Sequence, residues 1–141
     1  MAGADYFPNL VSSGYRKTSE ETETYNCLAW AVGVNDVWWD IADGYFWPDG
    51  IPRTDDVENL IKVYEWMGFK KCDSAGVEAG FEKIAVYGDR AAFTHAARQI
   101  EGGKWTSKLG PYEDIEHDTL DGLAGSQYGQ VIQLLKRAKK P

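Results

Sequence analysis

The hydrophobic period of this chain changes once, and that change limits what it can fold into. Between Thr54 and Gly68, the residues Val57, Leu60, Ile61, Tyr64 and Met67 fall on one helix face, with Thr54 as cap, Asp55 and Asp56 in the first turn and Gly68 after the last. From Glu82 onward the period is two. Lys83–Tyr87, Phe93–Gln99 and Trp105–Leu109 are predicted strands, separated by Gly88-Asp89-Arg90 and Glu101-Gly102-Gly103-Lys104. A fourth strand is predicted at Gln130–Leu135, after a short helix near Asp118–Leu123. An earlier short helix is predicted after Asn26, a residue type favoured at N-caps, running to a C-cap at Gly33 with Cys27 in its first turn. The order is helix, helix, then an antiparallel meander. The expected class is α+β, with N-terminal helices, one bearing the cysteine, on a small antiparallel sheet of about four strands.

At 141 residues the chain is read as a single domain, 1–141, large enough to bury a core unaided. Residues 1–24 are expected to be a loose lead-in, since Ser12–Thr24 is polar with no hydrophobic period. A formal net charge of −7 argues against nucleic acid, because phosphate binding needs a basic face. The closing Lys136–Lys140 run is read as a solvated, frayed end. No apolar run has the length of a membrane span or a signal peptide, so the default expectation is a cytoplasmic protein without membrane contact, with export lacking a recognisable signal left open. Two cysteines, Cys27 and Cys72, make no disulfide framework and are expected to be free thiols.

Cys27 is the candidate nucleophile. A thiol in the first turn of a helix faces free backbone N–H groups and the positive end of the dipole, which favour thiolate and can also hold an oxyanion. His95, one of two histidines, lies on a predicted central strand and is the candidate base. The third position depends on the turn. If Gly102-Gly103 is the whole turn, Thr106 and Lys108 share the face of His95; with one extra residue Ser107 takes it. Ser107 is the preferred helper, and Gln99 shares the His95 face in either register. His117, within Glu113–Asp118, fits no zinc or EF-hand spacing. It is read as part of a solvated loop with Asp118 as N-cap, or as a more remote partner of the site. No cofactor or metal is expected, and Cys72 is treated as incidental.

The stretches Asn26–Ala31, Thr94–Gln99 and Trp105–Gly110 make the chain similar to the papain-like superfamily in its compact bacterial form, the NlpC-type and CHAP-type cysteine hydrolases. It also looks like a family of small bacterial domains that share these stretches and the Glu113–Thr119 segment. The resemblance implies a papain-like fold, Cys27 as nucleophile, His95 as base, and a peptide, protein or peptidoglycan-like amide as substrate. The chain departs from the pattern in lacking the Asp-Cys-Ser-Gly motif and a His, Asn, Asp or Glu at the third position. The resemblance therefore leaves two alternatives, a Cys–His dyad with weak polar support or a domain that has lost activity.

The expected function is a cysteine-dependent amide hydrolase, a peptidase or amidase, working through an acyl-enzyme, with Trp38, Trp39 and Gln99 at the substrate. Acyl transfer or deamidation would use the same residues. The alternative is a non-enzymatic binding domain that presents Trp38, Trp39, Tyr45, Phe46 and Trp47 of the aromatic loop Asn35–Pro52 to a peptide or partner protein.

Overall fold

Ile84-Ala85-Val86-Tyr87 has no polar position, so a strand built from it must be covered on both faces. The computed structural model, which describes residues 3–139, shows how. Its elements are α1 (Asn9–Ser13), β1 (Tyr15–Lys17), α2 (Cys27–Trp30), α3 (Val57–Trp66), β2 (Lys70–Cys72), β3 (Phe81–Asp89), β4 (Ala92–Gln99), β5 (Trp105–Lys108), β6 (Asp114–His117) and β7 (Gln130–Ala138). Short 3-10 turns occupy Gly3–Tyr6, Glu101–Gly103 and Leu120–Leu123. Among the described residues the strands form one seven-stranded sheet, ordered β1-β6-β5-β4-β3-β7-β2, and every pairing is antiparallel. No helix among the described residues is long and apolar enough to cross a membrane.

One face carries Ile84, Val86, Ala96 and Leu135, packed under Cys27, Leu28 and Ala29 of α2, Leu60, Ile61, Val63 and Tyr64 of α3, and Trp39 and Trp47 of the aromatic loop. The other carries Ala85, Tyr87, Ala97, Trp105 and Ile115, packed under Ala4, Phe7, Leu10 and Leu123. Within the expected lead-in, the part up to Leu10 thus covers the second face, whereas Ser12–Thr24 is mostly exposed. Phe7 and Leu10 each gain about 1.5–3 kcal/mol from burial there. Met1 and Ala2 lie outside the described residues. The basic end is likewise ordered as far as Lys139: Lys136 pairs with Glu78 and Arg137 with Glu82 along β7, while Lys140 lies outside the described residues.

The papain-like arrangement of helices packed on about four strands is overturned by this topology. The sheet has seven strands, and α1 and α2 are only five and four residues long. β1, β2 and β6 span three or four residues each, too few to establish a period of two, and their sequences Tyr-Arg-Lys, Lys-Lys-Cys and Asp-Ile-Glu-His are dominated by polar residues. The predicted helix after Cys27 ends after one turn, with Gly33 at φ 82°. The helix predicted from Asp118 is a single 3-10 turn capped by Thr119, whose side chain accepts from Gly122 N. The four predicted strands and the helix face of Val57–Met67 are where the sequence placed them, within a few residues.

Two bulges converge on Tyr87. The β3–β4 register passes from Tyr87↔His95 to Gly88↔Phe93, leaving Thr94 unpaired, and the β3–β7 register passes from Val86↔Gln133 to Tyr87↔Val131, leaving Ile132 unpaired. Bulges bend strands and re-aim side chains. Beside them Gly129, at φ 74°, runs so close to β3 that a Cβ there would stand 2.2 Å from the Gly88 carbonyl oxygen. Thr94 Oγ1 donates to Tyr128 O at 2.5 Å, fixing the same loop from the other strand.

Candidate functional site: a buried histidine relay beside Cys27

The turn between β4 and β5 has one residue more than Gly102-Gly103 alone would give. Ile100 N donates to Lys104 O around Glu101–Gly103, and Gln99 pairs with Trp105. This register puts Ser107 on the face of His95 and turns Thr106 and Lys108 to the helix side. His95 Nε2 and Ser107 Oγ are 2.9 Å apart. Ser107 Oγ is in turn 2.8 Å from His117 Nε2, and His117 Nδ1 is 2.9 Å from the Thr119 carbonyl oxygen. His95, Ser107 and His117 are all fully buried.

The His95 ring is held by aromatic neighbours as well. Tyr128 stacks on it with centroids 4.1 Å apart and planes 6° from parallel, and Tyr87 meets it edge-on at 5.3 Å. Tyr87 is fixed by its hydroxyl, which donates to Leu120 O at 2.5 Å. His95 Nδ1 is the ring atom without a hydrogen-bond partner, although it is buried. Burial, and then the neighbouring His117, hold His95 well below the usual imidazole range. Burial also lowers His117, partly offset by the Thr119 carbonyl and Asp118.

Cys27 begins α2, whose N-cap Asn26 is locked in place. Asn26 Oδ1 accepts from Ala29 N at 3.5 Å and Trp39 N at 3.1 Å, and Asn26 Nδ2 donates to Trp39 O at 2.6 Å. α2 lies over β4 and β5. The thiol is buried, and burial pushes it up to about 11; the backbone N–H groups of Ala96 and Leu28 and the Lys108 ammonium pull in the opposite direction. The expected lowering by a helix N-terminus is therefore reversed, because a four-residue helix offers few aligned peptides and desolvation dominates. The structure brings the thiol to the Ala96 N–H, one residue from His95. Strand alternation places the Ala96 and His95 side chains on opposite faces of β4, and no hydrogen bond joins thiol to imidazole.

The other predicted site residues are dispersed. Trp39 is buried, its ring 5.1 Å from Phe46, and serves the core instead of a surface. Trp38 lines a separate cavity with Glu23, Tyr45 and Pro111. Gln99 lies four residues along β4 from His95, where Nε2 donates to Ala75 O at 2.6 Å. Cys72 sits on β2, away from the relay. His117 is no solvated-loop residue: it occupies β6, and Asp118 is exposed with Oδ1 3.5 Å from Lys104 Nζ.

Sequence reasoning gave Tyr128 and Thr119 no role and did not anticipate the buried place of His117. The usable signal was the alternation Ile115-x-His117 within an acidic segment, and the aromatic Tyr128 just before Gly129. Tyr128 also lines a cavity of about 280 Å3 with Tyr6, Phe7, Leu109, Pro111 and Tyr112, so one of its surfaces borders open space. Among the described residues no group of three or more His, Cys, Asp or Glu is placed to hold a metal ion.

A family model described as "Domain of unknown function (DUF7689)" matches residues 16–136. Neither the curated proteins nor the solved structures gave a match.

Proposed function

The chain belongs to the DUF7689 family, and since that membership assigns no chemistry, we propose on the site's geometry that it is a cysteine-dependent amide hydrolase with Cys27 as nucleophile and His95 as base. One observation carries the reading. His95 has Nε2 tied to Ser107, its ring clamped by Tyr128, and Nδ1 buried without a partner, on the residue next to the Ala96 N–H that faces the Cys27 sulfur. An imidazole with one nitrogen fixed and the other uncommitted has the connectivity of a general base, while its burial works against protonation.

In the resting state the thiol and both imidazoles are neutral. Cys27 and His95 lie on opposite faces of β4 with no hydrogen bond between them, so the reaction requires a rearrangement that brings ring and sulfur together. The Cys27 proton then passes to His95 as sulfur attacks the substrate carbonyl, and the C–N bond breaks as His95 returns the proton to the leaving amine. Water, deprotonated by His95, releases the acid and restores the thiol. Backbone N–H groups at the start of α2 and the Lys108 ammonium are the positive charge available to the oxyanion. Lys108 is buried, donates to the Thr22 carbonyl at 2.7 Å and lies 5.1 Å from the Tyr25 ring centroid. The substrate class this reading carries is a peptide, protein or peptidoglycan-like amide; the cavity bordered by Tyr128 opens on the His95 side of the sheet and is lined by neither Cys27 nor His95.

The test is the rate of iodoacetamide labelling at Cys27, mapped by mass spectrometry to separate it from Cys72, in the native chain, Cys27→Ser and His95→Ala. A base that assists the thiol predicts labelling near pH 7 that falls tenfold or more in His95→Ala. Labelling of Cys27 confined to pH above about 9, and indifferent to His95, overturns the proposal.

A second reading has its own observation. Tyr45, Phe46 and Trp66 surround an open cavity of about 510 Å3 together with Trp47, Pro48, Asp49 and Arg53, and Trp66 is 64% exposed. A partner-binding role would use this surface, with Trp66 and Tyr45 in place of the buried Trp39. Retention of partner binding by Cys27→Ala, and its loss in Trp66→Ala, is the outcome that reading requires.

A further inference from the structure

The chain of hydrogen bonds from Thr119 to His95 has only one consistent direction while both rings are neutral. The Thr119 carbonyl can only accept, so the single N–H of His117 must be at Nδ1, 2.9 Å away. That leaves His117 Nε2 as an acceptor, and its partner at 2.8 Å, the Ser107 hydroxyl, must donate to it. A hydroxyl has one proton. Ser107 Oγ therefore accepts from the ring atom 2.9 Å away on its other side, which places the single N–H of His95 at Nε2. Nδ1, the buried atom without a partner, is then the lone pair.

We infer that the Thr119 carbonyl, acting through His117 and Ser107, fixes the tautomer of His95 and so selects Nδ1 as its basic atom, making His117 and Ser107 positioning residues. The surroundings are consistent with neutral rings. Of the nearby carboxylates, Asp118 Oδ1 faces Lys104 Nζ at 3.5 Å, and Glu116 points to the opposite face of β6, where Arg16 holds it at 2.9 Å. Both rings are fully buried, and burial lowers the proton affinity of each. A relay of this kind needs no carboxylate or Asn beside the histidine, so a serine serves as helper here. Ser107 carries the polarity of the His117–Thr119 bond across one strand. The tautomer itself follows from the relay alone; its use against a thiol rests on the hydrolase reading.

The experiment is long-range 1H–15N correlation on the full chain labelled with 15N-histidine, at pH 7.5, in the native protein, Ser107→Ala, His117→Phe and His117→Gln. The native spectrum should show His95 protonated at Nε2 and His117 at Nδ1. Ser107→Ala and His117→Phe should each lower the Nε2–H to Nδ1–H ratio of His95 by about fivefold or more, the scale of one lost hydrogen bond. His117→Gln should keep the native ratio, because its amide oxygen can accept from Ser107 while its amide nitrogen donates to Thr119. A native His95 protonated at Nδ1 overturns the inference, whether or not the variants fold. An unchanged ratio in both disrupting variants also overturns it. The stated tautomer together with Cys27 labelling indifferent to His95→Ala would leave the relay standing and overturn the hydrolase proposal instead.

Discussion

At the scale of single residues, the site is governed by desolvation more than by charge. Burial favours the protonated thiol of Cys27 and the neutral imidazole of His95 alike. Tyr128 is the residue whose loss should be felt first, since it covers one face of His95 and touches Phe7 at 4.7 Å on its other contacts. Tyr128→Ala is expected to cost about 2–3 kcal/mol in urea unfolding, because a partly buried ring and its stacking go together. Tyr128→Phe, which keeps the ring, should stay within about 1 kcal/mol of the native chain if stacking is what matters.

At the scale of elements, placement depends on a few short-range locks. Asn26 caps α2 and binds both backbone groups of Trp39, so Asn26→Ala removes the anchor of the helix and of the aromatic loop together. A loss of about 2 kcal/mol in stability, with increased hydrogen exchange across residues 35–47, is the expected result. Gly129→Ala should be harsher than an ordinary turn substitution, because the residue has φ 74° and its new methyl meets the Gly88 carbonyl. Broadened or shifted His95 ring signals in that variant would report the displaced Tyr128.

The same scale explains what was legible in the sequence. α3 was readable because ten residues keep a helical period, β3, β4 and β7 because eight or nine residues of strand-forming sequence run between turn signals, and the four-residue β5 because it follows the Gly102-Gly103 turn. Cys27, His95 and Ser107 were singled out through helix position, strand placement and a register choice; the three-residue turn Glu101–Gly103 brings Ser107 to His95, and Cys27 is hydrogen-bonded to neither. His117 was misplaced because Glu116 and Asp118, which face away from the relay, give the segment the composition of a solvated loop. The size of the sheet was not legible: four of its strands contribute three or four residues each, and the edge strands β1 and β2 pair with partners more than fifty residues distant in sequence.

At the scale of the whole molecule, the buried titratable groups predict a dome of stability against pH. The two rings are neutral when folded, so once the chain can unfold they take up protons below the ordinary imidazole value near 6.5. Stability is then fully present above that value and falls as pH drops below it, by up to about 1.4 kcal/mol per pH unit for each ring. The thiol acts in the opposite sense. Its folded value of about 11 lies above the unfolded 9.0, so its contribution is complete below 9.0 and is lost as pH rises towards 11. Urea midpoints measured from pH 5 to 10 should show both arms, and Cys27→Ala should flatten the arm between pH 9 and 10 while leaving the acid arm in place.

The ends of the sheet carry a further consequence for how copies of this molecule meet one another. β1 and β2 are the two open edges, each three residues long, and in a chain of net charge −7 they carry Arg16 and Lys17 at one end and Lys70 and Lys71 at the other. A strand arriving from another copy would gain only a few ladder bonds while setting cation against cation. Self-association through strand addition is thereby discouraged at both ends, and a seven-stranded sheet can stay a closed unit without a barrel.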